Sequence, residues 1–289
     1  MNRFKEKLLS KQFLVTVELE PPKGINTEKL IESVNQLKGI VDAVNITDGP
    51  MANMRTSAIA LSYKIKKETD IDAIFHLTCR DRNVIALQSE LLGAGVLGIN
   101  NLLILTGDEP KRGDHPKATP VFEVDSVGLV GIVNTLNKGY DMAGTSLNEK
   151  TNFAVGVAAN PTALNLNLEI ERLHEKIEKG VDFIQTQPVY NPEDLAIFMD
   201  KIKYFKVPVL AGILPLKSYK MTQHVSNNIP GINIPEWTQK RMESGGRAEG
   251  VKIAAELVKD LKNISKGIHI MPLGDTNMVI EIIEQSKLK

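Results

Sequence analysis

The chain has 289 residues, with 35 lysines and arginines against 35 aspartates and glutamates, so its formal net charge is zero. That balance argues against nucleic acid as a partner, because phosphate binding needs a cationic surplus. A hydrophobic fraction of 42 % excludes a disordered chain, and a single cysteine excludes a disulfide framework, a cysteine zinc site and a self-contained iron–sulfur cluster.

The opening residues lack the apolar stretch of a signal peptide, and no run reaches the roughly 18 apolar residues of a membrane span. A cytoplasmic protein with no membrane attachment is expected. Short β-branched runs then recur along the chain, at 13–19, 41–47, 71–77, 101–107, 153–159, 181–187, 207–213 and 268–273. Stretches of helical spacing, such as 163–179 and 247–263, separate them. Eight strands alternating with helices predict an α/β fold with a parallel sheet. At this length the leading architecture is an eight-stranded parallel (β/α)8 TIM barrel, with residues 1–289 as one domain; an open doubly wound sheet is the alternative.

Local punctuation agrees with the helices. Thr27 with Glu28 starts one, and Asn191-Pro192-Glu193-Asp194 combines a cap, a first-position proline and first-turn acids. Gly39 and Gly180 fall where helices should end. Gly93-Ala94-Gly95-Val96-Leu97-Gly98 matches a dinucleotide-binding pattern, but a helix precedes it and a strand follows, the reverse of the required order. It reads as a helix end and a turn. Trp237, after Pro235 at a helix start, reads as core. Cys79 has no partner pattern that would make it a nucleophile.

In a barrel, alternate strand residues face inward and chemistry sits at the C-terminal strand ends. On the first strand Val15, Val17 and Leu19 share the helix-facing side, which turns Thr16 and Glu18 inward. A carboxylate inside a barrel should have a raised pKa, suited to a general acid. The same parity groups Asn45 with Thr47, His76 with Thr78, and Gln185 with Gln187, whose buried amides call for a hydrogen-bonding heterocyclic ligand. Thr106 and Asp108 close the fourth strand, and Gly107 between them permits close approach of a ligand. Asn160-Pro161 closes the fifth.

These strand-end residues resemble the methylenetetrahydrofolate reductase family over nearly the whole chain. The segments that carry the likeness are Glu18-Leu19-Glu20-Pro21-Pro22, Asn45-Ile46-Thr47, His76-Leu77-Thr78-Cys79, Leu105-Thr106-Gly107-Asp108, Thr186-Gln187 and Gly212-Ile213-Leu214-Pro215. The wording is similar to a divergent branch that includes reductase domains fused to homocysteine methyltransferases and reductase subunits of anaerobes. The resemblance implies a TIM barrel that binds FAD and reduces 5,10-methylenetetrahydrofolate to 5-methyltetrahydrofolate, in methionine synthesis or an anaerobic one-carbon pathway. NADH or NADPH would supply electrons, or a partner subunit would.

Residue by residue, the resemblance makes Glu18 the acid that opens the methylene bridge. It sets Asp108 beside flavin and folate, and gives Gln187 and Tyr219 to the folate. Thr47, His76, Gly107, Glu169 and Lys176 fall on cofactor contacts. Asp48, Thr106 and Asn160 occupy cofactor positions too, where the family has an aromatic residue, an arginine and a histidine. Arg80 and Arg82 are candidate replacement cations for the cofactor phosphates. The resemblance implies a folate substrate, and leaves open a homo-oligomer and an electron-transfer or methyltransferase partner. The rival reading is a flavin- or folate-binding subunit active only with such a partner. A Schiff-base aldolase is disfavoured, since no strand ends on a lysine.

Overall fold

The computed structural model describes residues 2–288, so the two end residues of the expected 1–289 span lie outside it. The chain opens with α1 (Arg3–Leu9), β1 (Leu14–Leu19), α2 (Glu28–Gln36), β2 (Ala43–Ile46), α3 (Ala58–Thr69) and β3 (Asp72–Thr78). It continues through α4 (Val84–Val96), β4 (Asn101–Leu105), α5 (Ser126–Asn137), β5 (Ala154–Ala159), α6 (Leu166–Gly180) and β6 (Phe183–Pro188). The last third holds α7 (Pro192–Ile202), β7 (Val209–Ile213), α8 (Tyr219–Asn228), α9 (Glu236–Leu261), β8 (Gly267–Ile270) and α10 (Thr276–Ser286). The eight strands pair in chain order, all parallel, and β8 closes on β1. This is the (β/α)8 barrel expected from the rhythm of the sequence.

Two-residue alternation builds the barrel wall. Val15, Val17, Val44, Leu77, Ile104 and Ile268 point outward and are buried in the main core between strands and helices. The inward residues form tiers. The floor is apolar: Leu14, Ile74, Leu103, Phe183 and Leu210 cluster with Phe4 and Leu8 of α1. The Phe4 ring meets Phe183 edge-on, 5.5 Å between centroids. Above the floor lies a buried polar tier of Thr16, Asn45, His76, Gln185 and His269.

Helix α1 plugs the N-terminal end of the barrel. Its charged face is tied down by Arg3 to Asp72 at 2.7 Å, Lys5 to Asp182 at 2.7 Å and Lys7 to Asp42 at 3.0 Å. Two of those aspartates also accept strand backbone N–H groups, Asp42 from Val15 and Asp182 from Val155. The plug and the strands therefore share anchors.

The expected caps hold at α7, where the Asn191 side chain accepts from the Glu193 N–H. Gly39 and Gly180 take the left-handed φ values of helix ends. The Gly93–Gly98 segment is the end of α4 and its exit turn, with Gly98 at φ 70°. Trp237 departs from expectation: it is 50 % exposed. A proline-led helix start fixes where α9 begins, but not which face is covered. α9 also starts earlier than 247, with a break at Gly246 (φ 55°, ψ −151°). Among the described residues no helix is long and apolar enough to cross a membrane.

Gly250 shows how tightly α9 is seated. A Cβ there would lie 1.7 Å from the Leu216 carbonyl oxygen. Alanine in a helix normally gains about 1 kcal/mol over glycine. Here the sign should reverse: Gly250→Ala should cost about 1–3 kcal/mol, read as a lower urea midpoint.

Candidate active site

The C-terminal mouth of the barrel opens into a cleft. Its walls come from the strand ends: Glu18, Thr47, His76, Gly107, Gln187 and His269 are among the lining residues. Glu18 turns inward as strand parity requires. Its side chain is 27 % exposed, and its Oε2 lies 3.8 Å from His269 Nε2.

The expected raised pKa of Glu18 is not what this environment produces. Burial pushes it up, but the His269 ring, and more weakly His76, pull it down, and the balance lies below the ordinary glutamate value. The reason is the neighbour: β8 closes against β1 and sets Thr16 beside His269 in register, which brings the imidazole to the carboxylate.

The polar tier beneath is hydrogen-bonded throughout. Gln185 Nε2 donates to Thr16 Oγ1 and to Asn45 Oδ1, each at 3.3 Å. Asn45 Nδ2 donates to Gln185 Oε1 at 2.8 Å and meets His76 Nε2 at 3.1 Å. Thr16 Oγ1 donates to the Ile268 carbonyl at 3.3 Å and meets His269 Nδ1 at 3.0 Å. Gln185 therefore does not wait for a ligand; Thr16 and Asn45 satisfy it. Gln187, one pleat higher, is the amide that is exposed to the cleft.

His76 is 4 % exposed, and its pKa is pushed down to about 4, first by burial and then by the charge of His269, against the opposing pull of Glu18. The sign for stability follows. Above pH 6.5, the ordinary histidine value, the ring is neutral in both states and its contribution is fully present. As pH falls toward about 4 the unfolded chain binds the proton and the folded chain does not, so stability is lost. His76→Gln should flatten that part of the acid-side fall in urea midpoint.

Asp48 is an anchor between strand ends. It accepts from the Thr78 N–H and Oγ1, both at 3.0 Å, and from Arg82 Nη1 at 2.8 Å. Arg80 is 6 % exposed and grips Asp81 through Nε and Nη2 at 2.9 and 2.8 Å. The two arginines expected as phosphate cations are thus already paired with carboxylates. Gly107 has φ 97°, and a Cβ there would press on Thr78 and Arg80 at 3.1 Å. Asp108 lines the cleft, with Oδ1 3.5 Å from Arg112.

A second lobe adjoins the first across Leu105, Ala158 and Gln187. Thr106, Asn160, Glu169 and Lys176 line it. Thr106 Oγ1 accepts from the Ser126 N–H at 3.3 Å, so its hydroxyl helps start α5. Glu169 accepts from the Asn160 N–H at 2.9 Å, and Lys176 Nζ donates to the Ala158 carbonyl at 3.2 Å. Burial lowers the pKa of Lys176, against the charge of Glu169. Tyr219 is not brought into either lobe; it is the first residue of α8, 38 % exposed. Cys79 is buried, and burial pushes its thiol pKa up to about 12, which suits no nucleophile.

His269 is the site residue that the sequence reading did not single out. The signal was present: Ile268 and Ile270 are the aliphatic outward positions of β8, which turns His269 inward by the parity that marked Glu18.

The sequence profile of the methylenetetrahydrofolate reductase family matches residues 3–287. Methylenetetrahydrofolate reductase 1 of Schizosaccharomyces pombe is 24 % identical over 292 residues, covering 93 % of this chain but 45 % of that protein. The chain therefore spans less than half the length of that yeast relative. The 5,10-methylenetetrahydrofolate reductase of Salmonella typhimurium is 25 % identical, covering 92 % of this chain and 88 % of the relative. Among solved structures, a Clostridium thermocellum protein described as binding two copies of 5-methyl-5,6,7,8-tetrahydrofolic acid shares the fold. The TM-score is 0.66 at 20 % identity, over 99 % of this chain and 98 % of that one. With a closed parallel barrel and a profile match from end to end, the chain belongs to the methylenetetrahydrofolate reductase family.

Proposed function

We propose that the chain reduces 5,10-methylenetetrahydrofolate to 5-methyltetrahydrofolate with FAD as its cofactor. The observation that carries the reading is an inward carboxylate, Glu18, paired with His269 at the mouth of a barrel whose cleft runs on to Lys176.

The residues present fit a flavin. Thr47 Oγ1 is buried at the cleft wall with no hydrogen-bond partner, the sign of a polar group that a ligand satisfies. Gly107 and Ala158 keep that wall low, and the two adjoining lobes accommodate an elongated molecule. Thr47, His76, Gly107 and Asp108 would hold the ring end, and Thr106, Asn160, Glu169 and Lys176 the far end, with Asp48 keeping the β2 and β3 ends together. FAD, reduced by NADH or NADPH, would supply the hydride for the one-carbon unit.

The chain's own part is binding and proton placement. Gln187 presents an amide that can pair with a pterin edge. Glu18 delivers a proton to an amine nitrogen of the bridged folate; the C–N bond breaks and leaves a cationic iminium. Asp108, at the opposite wall, places a negative charge where that cation forms.

An anaerobic absorption spectrum with added FAD tests the proposal. A bound flavin that bleaches with NADH and regains colour with methylenetetrahydrofolate is the expected result. A flavin reduced by dithionite but by neither nicotinamide would favour the partner-dependent subunit. No bound flavin would overturn the cofactor assignment.

A further inference from the structure

We propose that Arg112 is the cation that holds a phosphate in the second lobe, and that it leaves Asp108 to do so. The proposal rests on the flavin reading for the identity of that phosphate, the diphosphate of FAD. It answers a difficulty in that reading, since Arg80 and Arg82, the cations expected there, are committed to Asp81 and Asp48.

Among the described residues, the charged side chains lining the second lobe are Arg112, Glu169 and Lys176. Glu169 and Lys176 cancel, so Arg112 alone gives the lobe its positive sign. Lys176 Nζ donates one hydrogen to the Ala158 carbonyl at 3.2 Å, which leaves two for an incoming oxygen. A phosphate in the lobe would find those donors either way, but without Arg112 it would meet no net attraction.

Arg112 is also the arginine least committed elsewhere at the barrel mouth. Arg55, Arg80 and Arg82 reach carboxylates at 2.7, 2.8 and 2.8 Å. The Arg112 guanidinium meets only Asp108, through Nη1 at 3.5 Å, and its side chain is 74 % exposed. An exposed pair at that separation is weak and is readily exchanged for a better anion. The backbone beneath it is fixed. Gly113 follows, where a Cβ would lie 1.9 Å from the Ala52 carbonyl oxygen. Asp114 comes next and accepts from Lys23 Nζ at 2.6 Å and from the Met54 N–H at 2.9 Å. The arm is rooted at the rim and free at its tip.

Asp108 lines the first lobe and Arg112 the second, so the pair spans both. A diphosphate competes well with a single carboxylate for a guanidinium, because it offers paired oxygens to the planar fork and can accept from Lys176 as well. Moving the guanidinium into the second lobe uncovers the Asp108 carboxylate in the first, where the reading above needs a negative charge. The coupling runs in both directions: removing the Asp108 charge should tighten phosphate binding through Arg112.

Calorimetric titration of ADP, FAD and riboflavin into the ligand-free chain tests the proposal without turnover. Arg112→Gln should weaken ADP and FAD roughly tenfold, the scale of one charge-assisted contact. Riboflavin, which carries no phosphate, should bind as before. The Arg112 side chain touches only Asp108, so the unfolding midpoint should stay at the wild-type value. Asp108→Asn should tighten ADP a few-fold on its own and not in the Arg112→Gln background. A riboflavin loss equal to the FAD loss, unchanged ADP and FAD affinities in Arg112→Gln, or the same gain from Asp108→Asn in both backgrounds overturns the proposal. A wild-type chain that binds ADP through Arg112 but binds no flavin overturns the cofactor reading and keeps the phosphate site. One that binds FAD equally well with and without Arg112 does the reverse, and one that binds none of the three probes overturns both.

Discussion

Glu18→Gln should slow folate reduction by roughly 10²–10⁴-fold, the range for losing a positioned general acid, while flavin binding and flavin reduction persist. The amide has nearly the shape of the carboxyl and can still meet His269, so the barrel should fold. It has no acidic proton at neutral pH, so opening of the bridged one-carbon unit loses its donor. Glu18 is not among the residues proposed to hold the cofactor in either lobe, which is why cofactor affinity should hold. Stopped-flow spectra of the two half-reactions measured separately give the answer. Near-normal reoxidation of the reduced protein by methylenetetrahydrofolate would remove Glu18 from the proposed mechanism.

Phe183→Ala should be the most costly single change in the barrel floor, at about 3–5 kcal/mol, the range for deleting a fully buried aromatic ring. Phe183 has no exposed surface and stands against Phe4 of the plugging helix. It also explains Gly156 on β5: a Cβ there would sit 2.2 Å from the Phe183 ring. The strand lacks a side chain at that place because the neighbouring ring fills it. Urea unfolding should show a lower midpoint with an unchanged slope. Phe4→Ala should also destabilise, and the double variant should lose less than the two losses added, because the rings share one contact. Full additivity would mean that α1 is not seated on the floor.

The barrel was legible in the sequence because a parallel barrel keeps its aliphatic residues on alternate positions under the helices. That is why Val15, Val17 and Leu19 could turn Glu18 inward, and why His76 and Gln185 were found in the interior. What stayed hidden depends on which strands become neighbours. Gln185 looks unsatisfied along β6, and only the closed barrel brings Thr16 and Asn45 to it. Glu18 looks like an isolated carboxylate along β1, and only the β8–β1 seam supplies the imidazole that reverses its pKa. Arg80 and Arg82 look available as cations, but loop geometry pairs them with Asp81 and Asp48. Tyr219 and Trp237 share a different cause: each opens a helix that a proline or serine locates well, while the covered face depends on packing.

The seam between the last strand and the first has a consequence for how the protein matures. Thr16 and His269 are 253 residues apart in the chain. Contacts of that separation are the slow ones to form, since a long stretch of chain must be ordered before they gain anything. A ribosome-bound chain ending before residue 267 could fold its rim loops and much of its wall, yet Glu18 would face an open gap. The proposed chemistry should therefore appear with the final closure and not before it, so that incompletely made copies of the chain are silent rather than merely slow.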